Sequence, residues 1–104
     1  MSSKKAYVVG SNVKNSLSPT IFNYWFKKYN IDGFYNYKEI KESSFKEEIN
    51  LVFQEKKLCG FNITTPFKEK IISYLSQIDV HSKKIGAVNC VTKKTTLQID
   101  FVFI

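Results

Sequence analysis

The chain has 104 residues, of which 43% are hydrophobic and 15% aromatic, and its formal net charge is +7. This composition is typical of one small globular domain with its own core, and it excludes an intrinsically disordered segment. All 16 basic residues are lysine, whereas nucleic-acid readers rely on arginine for bidentate contacts. We therefore expect a solvated basic surface and no nucleic-acid partner.

The first half of the chain alternates between strand and helix patterns. AYVVG, at 6–10, is a short apolar strand that ends in glycine. Pro19 suits the first position of a helix whose apolar residues recur at helical spacing. These residues are Phe22, Trp25, Phe26 and Tyr29, and we expect Trp25 in the core. FYNYKEI, at 34–40, is the second strand, on which packing alone explains Tyr35 and Tyr37.

A second helix and a third strand follow. Ser44 and Glu47 have the spacing of a capping box at the start of that helix. LCGFNI, at 58–63, is the third strand, and Pro66 is expected to begin a third helix.

The last third of the chain returns to strand patterns. Asp79 is expected to cap one short helical turn that Gly86 stops, before two β-rich segments, AVNCV and TTLQIDFVFI. Alternation of this kind predicts an α/β fold of three layers, α-β-α, with helices over both faces of a mainly parallel sheet.

The loop after the first strand, NSLSP, carries two hydroxyls before a helix. Ser16 and Ser18 point to the same side of an extended segment, next to a helix N-terminus that favours an anionic or polyhydroxylated ligand. Taken alone, the pentapeptide is explained more simply by Ser18 as an N-cap and Ser16 as a loop residue.

The loop after the third strand, FNITTPFKEK, repeats this logic. Asn62 and Thr64 share one side, and Lys68 stands one turn inside the predicted helix. In α/β folds, ligands bind where loops leave the carboxyl ends of strands. The two loops therefore predict a site for a polar ligand.

Three motifs together resemble the N-terminal substrate-binding domain of the shikimate dehydrogenase family. The family pattern S-x-S-P, N-[VI]-T-x-P-x-K and G-A-V-N-T is matched in order at 16–19, 62–68 and 86–90, with Cys90 in place of the usual threonine. The resemblance covers nearly the whole chain and implies one such domain over 1–104. It also implies a part in an NADP-dependent enzyme of the aromatic amino-acid (chorismate) pathway.

The resemblance assigns roles to residues in these motifs. It implies that Ser16 and Ser18 bind the shikimate carboxylate, while Asn62, Thr64 and Asn89 contact the ring hydroxyls or shape their pocket. Lys68 would bind substrate and, with an aspartate, handle the proton that is released as hydride leaves for NADP.

The family's aspartate belongs to an N-T-D-x-x-G motif that is degraded here. Gln98, Ile99 and Asp100 stand in place of N-T-D, and Phe103 stands in place of the glycine. Asp100 is the counterpart of the catalytic aspartate, although a polar residue on the open face of a terminal strand explains it equally well.

The nucleotide site of the family is expected to be absent from this chain. The sequence has 4 glycines and no G-x-G-x-x-G, and relative to the family it is expected to be truncated at its C-terminus. Stand-alone activity is therefore not expected. The implied partners are shikimate and either a separate nucleotide-binding domain or a second copy of the chain.

One alternative stays open, which is a noncatalytic binding module that keeps the fold. The residues also do not distinguish shikimate from quinate. The N-terminus lacks a signal-peptide pattern and no apolar stretch could span a membrane, so the cytoplasm is expected and no membrane contact is. Cys59 and Cys90 lack the spacing of metal ligands, and we predict two small buried side chains and no metal site.

Overall fold

A five-stranded mixed sheet forms the centre of the fold. The computed structural model describes residues 4–75, 77–93 and 99–103, and it describes side chains at 4–75 and 77–92. The strands are β1 (Lys4–Gly10), β2 (Gly33–Glu39), β3 (Leu58–Ile63), β4 (Cys90–Lys93) and β5 (Ile99–Phe103). The helices are α1 (Ser18–Lys28), α2 (Phe45–Phe53) and α3 (Val80–Ile85), with 3-10 helices at Glu42–Ser44 and Lys70–Tyr74. Within these residues, no helix is long and apolar enough to cross a membrane.

The strand order is β2-β1-β3-β4-β5, and the first three strands are parallel, as the alternating pattern predicted. The strand β4 runs antiparallel to β3, and β5 runs antiparallel to β4, so the sheet is mixed. The reason lies in the connection after β3, which returns to the end of the sheet where β3 finishes. There the Ile63 N–H donates to the Asn89 carbonyl at 3.0 Å, so the following strand must run in the opposite direction.

Helices cover both faces of the sheet, which confirms the predicted α/β class. Adjacent residues of a strand point to opposite faces, and Val8 and Val9 accordingly belong to two different cores. Val8 packs in a small core with Tyr35 and the α1 residue Phe22, whereas Val9 lies in the larger core on the α2 side.

The second helix begins at Phe45 after Ser44, as predicted, but its capping box is absent, and the predicted start of the third helix is wrong. Ser44 does not form a capping box with Glu47, because its hydroxyl instead donates to Glu48 Oε2 at 2.8 Å. Pro66 does not begin an α-helix. The Phe67 N–H bonds to the Thr64 carbonyl at 3.0 Å, and this turn is followed by the 3-10 helix at Lys70–Tyr74.

The short helix α3 begins and ends at the predicted residues. The Asp79 carboxylate accepts the Ser82 N–H at 3.2 Å, and Gly86 closes the helix with a left-handed φ of 79°. Hydrogen bonds from the side chain and then the backbone N–H of Ser82 lower the pKa of the Asp79 carboxyl, because they favour its charged form.

Two side chains expected in the core lie outside it. Trp25 is 46% exposed, because α1 meets the sheet along Phe22 and Phe26 and Trp25 packs edge-on against the side of Phe22. Cys59 is also exposed, because a register shift in the β1–β3 ladder leaves it without a partner residue in β1.

The outer edge of β2 is closed by a side chain of α1. Asn23 Nδ2 donates to the Tyr35 carbonyl at 2.7 Å, and Asn23 Oδ1 accepts the Tyr35 N–H at 2.8 Å. Asn23 therefore supplies the hydrogen bonds that a neighbouring strand would make, which protects this edge.

Asn23→Ala is expected to lower the free energy of unfolding by about 2 kcal/mol, since each lost hydrogen bond contributes about 1 kcal/mol. Urea denaturation measures the change, with Asn50→Ala on the exposed side of α2 as the control. Equal stability of the two variants would contradict the role of Asn23.

Candidate functional site

A cleft of about 480 Å³ opens where β1 and β3 end and β4 begins. All six side chains predicted to bind substrate line it: Ser16, Ser18, Asn62, Thr64, Lys68 and Asn89. Apolar atoms of Val8, Val13 and Phe22 complete the wall. The three sequence motifs therefore meet in one place, although up to 73 residues separate their members (89 − 16 = 73).

The two serines stand at the N-terminus of α1. The Ser18 N–H donates to Ser16 Oγ at 3.1 Å, so Ser16 satisfies a free backbone donor of the helix. Ser18 is therefore the first residue of the helix and not its N-cap, which is Leu17. The first turn holds no acidic side chain, so the positive end of the helix dipole is not neutralised within it.

The loop between β1 and α1 is held by a residue that sequence reasoning missed. Glu39, at the end of β2, accepts the backbone N–H groups of Val13 and Lys14, each at 3.2 Å. These bonds fix the loop just before Ser16. In the sequence, the only indication of this role is that an acidic residue stands at the end of β2.

A stacked pair of buried aromatic rings anchors the second motif to the larger core. The Thr64 N–H donates to the Val9 carbonyl at 2.9 Å, which places Thr64 beside Gly10, the last residue of β1. Phe67 is fully buried and stacks on Phe45 at 4.4 Å between ring centroids. Lys68 follows this turn, half-buried, and not inside an α-helix as predicted.

The third motif is tied to the second by backbone bonds. The Val88 N–H donates to the Lys68 carbonyl at 3.0 Å. The Asn89 carbonyl accepts Asn62 Nδ2 at 3.4 Å, in addition to the Ile63 N–H. Asn89 is therefore fixed beside Asn62 and Lys68 at the start of β4.

Tyr35 is a second residue that sequence reasoning missed, because its role was assigned to packing. Its ring is 3% exposed and stacks on Phe22 at 4.6 Å, while its hydroxyl donates to Asn62 Oδ1 at 2.7 Å. Burial raises the pKa of Tyr35, the nearby Cys90 thiol adds to the rise, and a hydrogen bond with Ser18 opposes it. The phenol therefore stays protonated and remains a donor.

Among the described residues, one positive charge and several neutral polar groups line the cleft. Among the described residues that line it, Lys68 is the only charged one, and the rest of the polar lining consists of hydroxyls and amides. No group of three potential metal-ligating side chains occurs in the described part of the chain. Burial raises the pKa of the neighbouring Cys90 thiol, which keeps that group neutral. Such a lining suits a small organic anion with several hydroxyls.

Asp100 lies on β5, where its backbone pairs with Thr92 of β4. Its side chain is outside the described residues, as are Gln98 and the side chain of Phe103. The part of Asp100 in the site therefore stays a prediction.

Comparison with known proteins identifies the family. The model of the shikimate dehydrogenase substrate binding domain matches residues 8–91, which is most of the chain and includes the whole cleft. The chain belongs to this family.

Relatives and solved structures agree with this assignment. The shikimate dehydrogenase (NADP(+)) of Saccharolobus solfataricus is 34% identical over 93% of this chain and 35% of its own length. The crystal structure of shikimate dehydrogenase from Aquifex aeolicus superposes with a TM-score of 0.87 at 32% identity, over 95% of this chain and 36% of that one.

A third comparison concerns ligands. The shikimate 5-dehydrogenase of Listeria monocytogenes, solved in complex with shikimate and NAD, has a TM-score of 0.87 at 26% identity, over 95% of this chain and 34% of that one. The chain thus spans about a third of the length of the shikimate dehydrogenases that it matches. In family terms, the cleft lies in the substrate-binding domain.

Proposed function

We propose that the chain is the shikimate-binding domain of an NADP-dependent shikimate dehydrogenase, and that the cleft binds shikimate or 3-dehydroshikimate. The observation that carries this proposal is the meeting of six side chains from three separate motifs in one cleft. The family membership and the relative solved with shikimate support the same ligand. The expected cytoplasmic location stays a prediction.

The ligand carboxylate is assigned to the side of the cleft formed by Ser16 and Ser18. The two hydroxyls supply O–H donors, and the start of α1 adds a favourable dipole without a competing acid. Charge-assisted hydrogen bonds to a carboxylate are about twice as strong as neutral ones, so this side would fix the orientation of the ring.

The ring hydroxyls are assigned to the part of the cleft that is lined by Asn62, Thr64 and Asn89. Asn62, Thr64 and Asn89 together offer donors and acceptors, which a hydroxyl needs because it both donates and accepts. The backbone bonds that join Ile63 to Asn89 and Thr64 to Val9 hold these groups in place before ligand arrives. Such preorganisation reduces the entropy that binding costs.

Lys68 is assigned the proton of the reacting hydroxyl. Reduction of a ketone to an alcohol adds a hydride to carbon and a proton to oxygen, and a positioned ammonium can donate that proton; in the reverse direction the resulting neutral amine takes the proton back. Lys68 lines the cleft with its carbonyl fixed by Val88, so its side chain starts from a defined place. The family's second proton-transfer group would be Asp100, by motif position alone.

The described residues do not fit the NADP that the family uses. A pyrophosphate needs open backbone at glycines, but a Cβ at Gly10 would lie 2.5 Å from Thr64 Cγ2 and 2.9 Å from Val13 Cγ1. At Gly60 the same space is filled by the Val91 carbonyl, and Gly86, which is open, lies at the C-terminus of α3, where the helix dipole disfavours an anion. This part of the chain therefore offers the substrate side of the reaction, and the hydride acceptor would be held elsewhere.

An NMR amide-shift titration of the labelled chain with shikimate tests the proposal. We expect saturable shifts near 16–18, 62–68 and 89, and an affinity at least about tenfold lower for Ser16→Ala, because a hydrogen bond to a charged group is lost. The exposed Ser43→Ala is the matched control. A parallel titration with quinate separates the two ring systems. A folded chain without shifts at millimolar shikimate would instead favour a noncatalytic module.

A further inference from the structure

Tyr35 lies behind the cleft, and its hydroxyl contacts two side chains of the lining, Asn62 at 2.7 Å and Ser18. We propose that Tyr35 is a positioning residue, whose hydroxyl fixes the amide of Asn62 in one orientation and so decides which atom Asn62 offers to the ligand. This inference rests on the proposed function for its consequence in binding, but the contact itself belongs to the free protein. It goes beyond packing, to which the sequence pattern assigned Tyr35.

The two neighbours of the Asn62 amide agree on its orientation. The phenol donates to Oδ1 at 2.7 Å, and the Asn89 carbonyl accepts from Nδ2 at 3.4 Å. With the amide rotated by a half turn, Oδ1 would face the Asn89 carbonyl and neither oxygen could donate. The shorter bond, from Tyr35, is the stronger of the two constraints.

Asn23 and Phe22 hold the backbone and the ring of Tyr35, so its hydroxyl has a fixed position. Asn23 binds both backbone groups of Tyr35, and Phe22 stacks on the ring at 4.6 Å. The side chain is almost completely buried, so water does not compete for the phenol. These contacts link the outer edge of β2 to the ligand side of Asn62.

The fixed orientation of the Asn62 amide determines which hydrogen-bonding groups it offers to the ligand. One lone pair of Oδ1 and one hydrogen of Nδ2 are used inside the protein, which leaves one N–H and one lone pair for the ligand. Their positions do not exchange while Tyr35 donates. A ring hydroxyl at Asn62 is therefore met by a donor and an acceptor in a set order, which favours one stereochemistry over its epimer.

The test uses Tyr35→Phe, which keeps the ring and its stacking on Phe22 but removes the hydroxyl. Tyr37→Phe is the matched control, because Tyr37 lies on the same strand and face but is 38% exposed and outside the cleft lining. The first readout is the side-chain amide signal of Asn62 in the ligand-free chain. We expect it to move in Tyr35→Phe and to stay in place in Tyr37→Phe.

The second readout is the affinity for shikimate. Tyr35→Phe is expected to weaken binding about five- to tenfold, which is the range for one buried hydrogen bond. In an Asn62→Ala background the same change should have a much smaller effect, because Asn62 accepts the hydrogen bond of the Tyr35 hydroxyl and only the contact with Ser18 would remain. A purely structural role would instead give the same loss in both backgrounds.

An unmoved Asn62 signal in folded Tyr35→Phe would overturn the inference, and so would equal movement in Tyr37→Phe. If the wild-type chain fails to bind shikimate, the proposed function fails, whereas the ligand-free amide signal still decides the role of Tyr35. The two proposals can therefore fail separately.

Discussion

Gly60→Ala is expected to lower the free energy of unfolding by about 3 kcal/mol and to remove ligand binding with it. A Cβ at Gly60 would collide with the Val91 carbonyl and would lie 3.0 Å from the Thr92 Cα. Both obstacles are backbone atoms of β4, which cannot move aside as a side-chain tip can, so the β3–β4 ladder must separate. That ladder places Asn89 beside Asn62, so the cleft would lose its third motif.

Gly33→Ala is the control for this change. Gly33 also lies in a strand, but a Cβ there would meet the Lys4 carbonyl and Phe26 at 3.4 Å, an ordinary contact distance. Alanine at this position is expected to leave stability unchanged or slightly improved, because it restricts the unfolded chain. Chemical denaturation of the two variants measures the difference. Similar stability for both would refute the close approach of β4 to Gly60.

Lys68→Glu is expected to weaken shikimate binding by at least about a hundredfold. Lys68 is the only charged side chain among the described residues of the cleft lining, and two unit charges about 8 Å apart interact by roughly 2 kcal/mol at an effective dielectric constant of about 20, so that reversing one charge changes the energy by roughly 4 kcal/mol. The substitution turns this attraction for the ligand carboxylate into repulsion. Isothermal titration calorimetry at low and high salt would measure both affinity and screening.

Lys70→Glu is the matched control, since it changes the net charge by the same amount. Lys70 is exposed and outside the cleft lining, and its Nζ lies 5.7 Å from the centre of the Phe45 ring. Its replacement should alter affinity by less than about threefold, because exposed charges are well screened by solvent. Equal losses in the two variants would mean that net charge, and not the position of Lys68, governs binding.

The sequence was sufficient to predict that two of the motifs lie close together, because these motifs follow strands whose ends meet. Ser16 follows β1 and Thr64 follows β3, and these two strands are adjacent and parallel, so alternation alone predicted their neighbourhood. Asn89 was placed there only by family resemblance. Its contact with Asn62 depends on the antiparallel return of β4, which periodicity does not encode.

The errors arose where tertiary packing outweighs a local pattern. Pro66 satisfies the rule for a helix start, yet Phe67 is buried against Phe45, and the chain turns there before any helix begins. Trp25 fits the helical stripe, but only Phe22 and Phe26 reach the small core of the sheet.

Two contributors to the site left almost no trace in the sequence. Tyr35 and Glu39 act through hydrogen bonds to residues that lie 27 and 26 positions away, and such bonds depend on side-chain geometry. A strand pattern predicts that a tyrosine is buried, but it does not predict what its hydroxyl contacts.

Because Asn89 directly precedes β4, it is the last of the six polar cleft residues along the chain. A partly opened protein that has released β4 keeps Ser16 and Thr64 near each other but loses Asn89. A ligand that contacts all three would therefore bind the closed state alone and would draw the equilibrium toward it. Occupancy of the cleft should then slow amide exchange in β4 more than in β2, because the bound ligand holds β4 against β3.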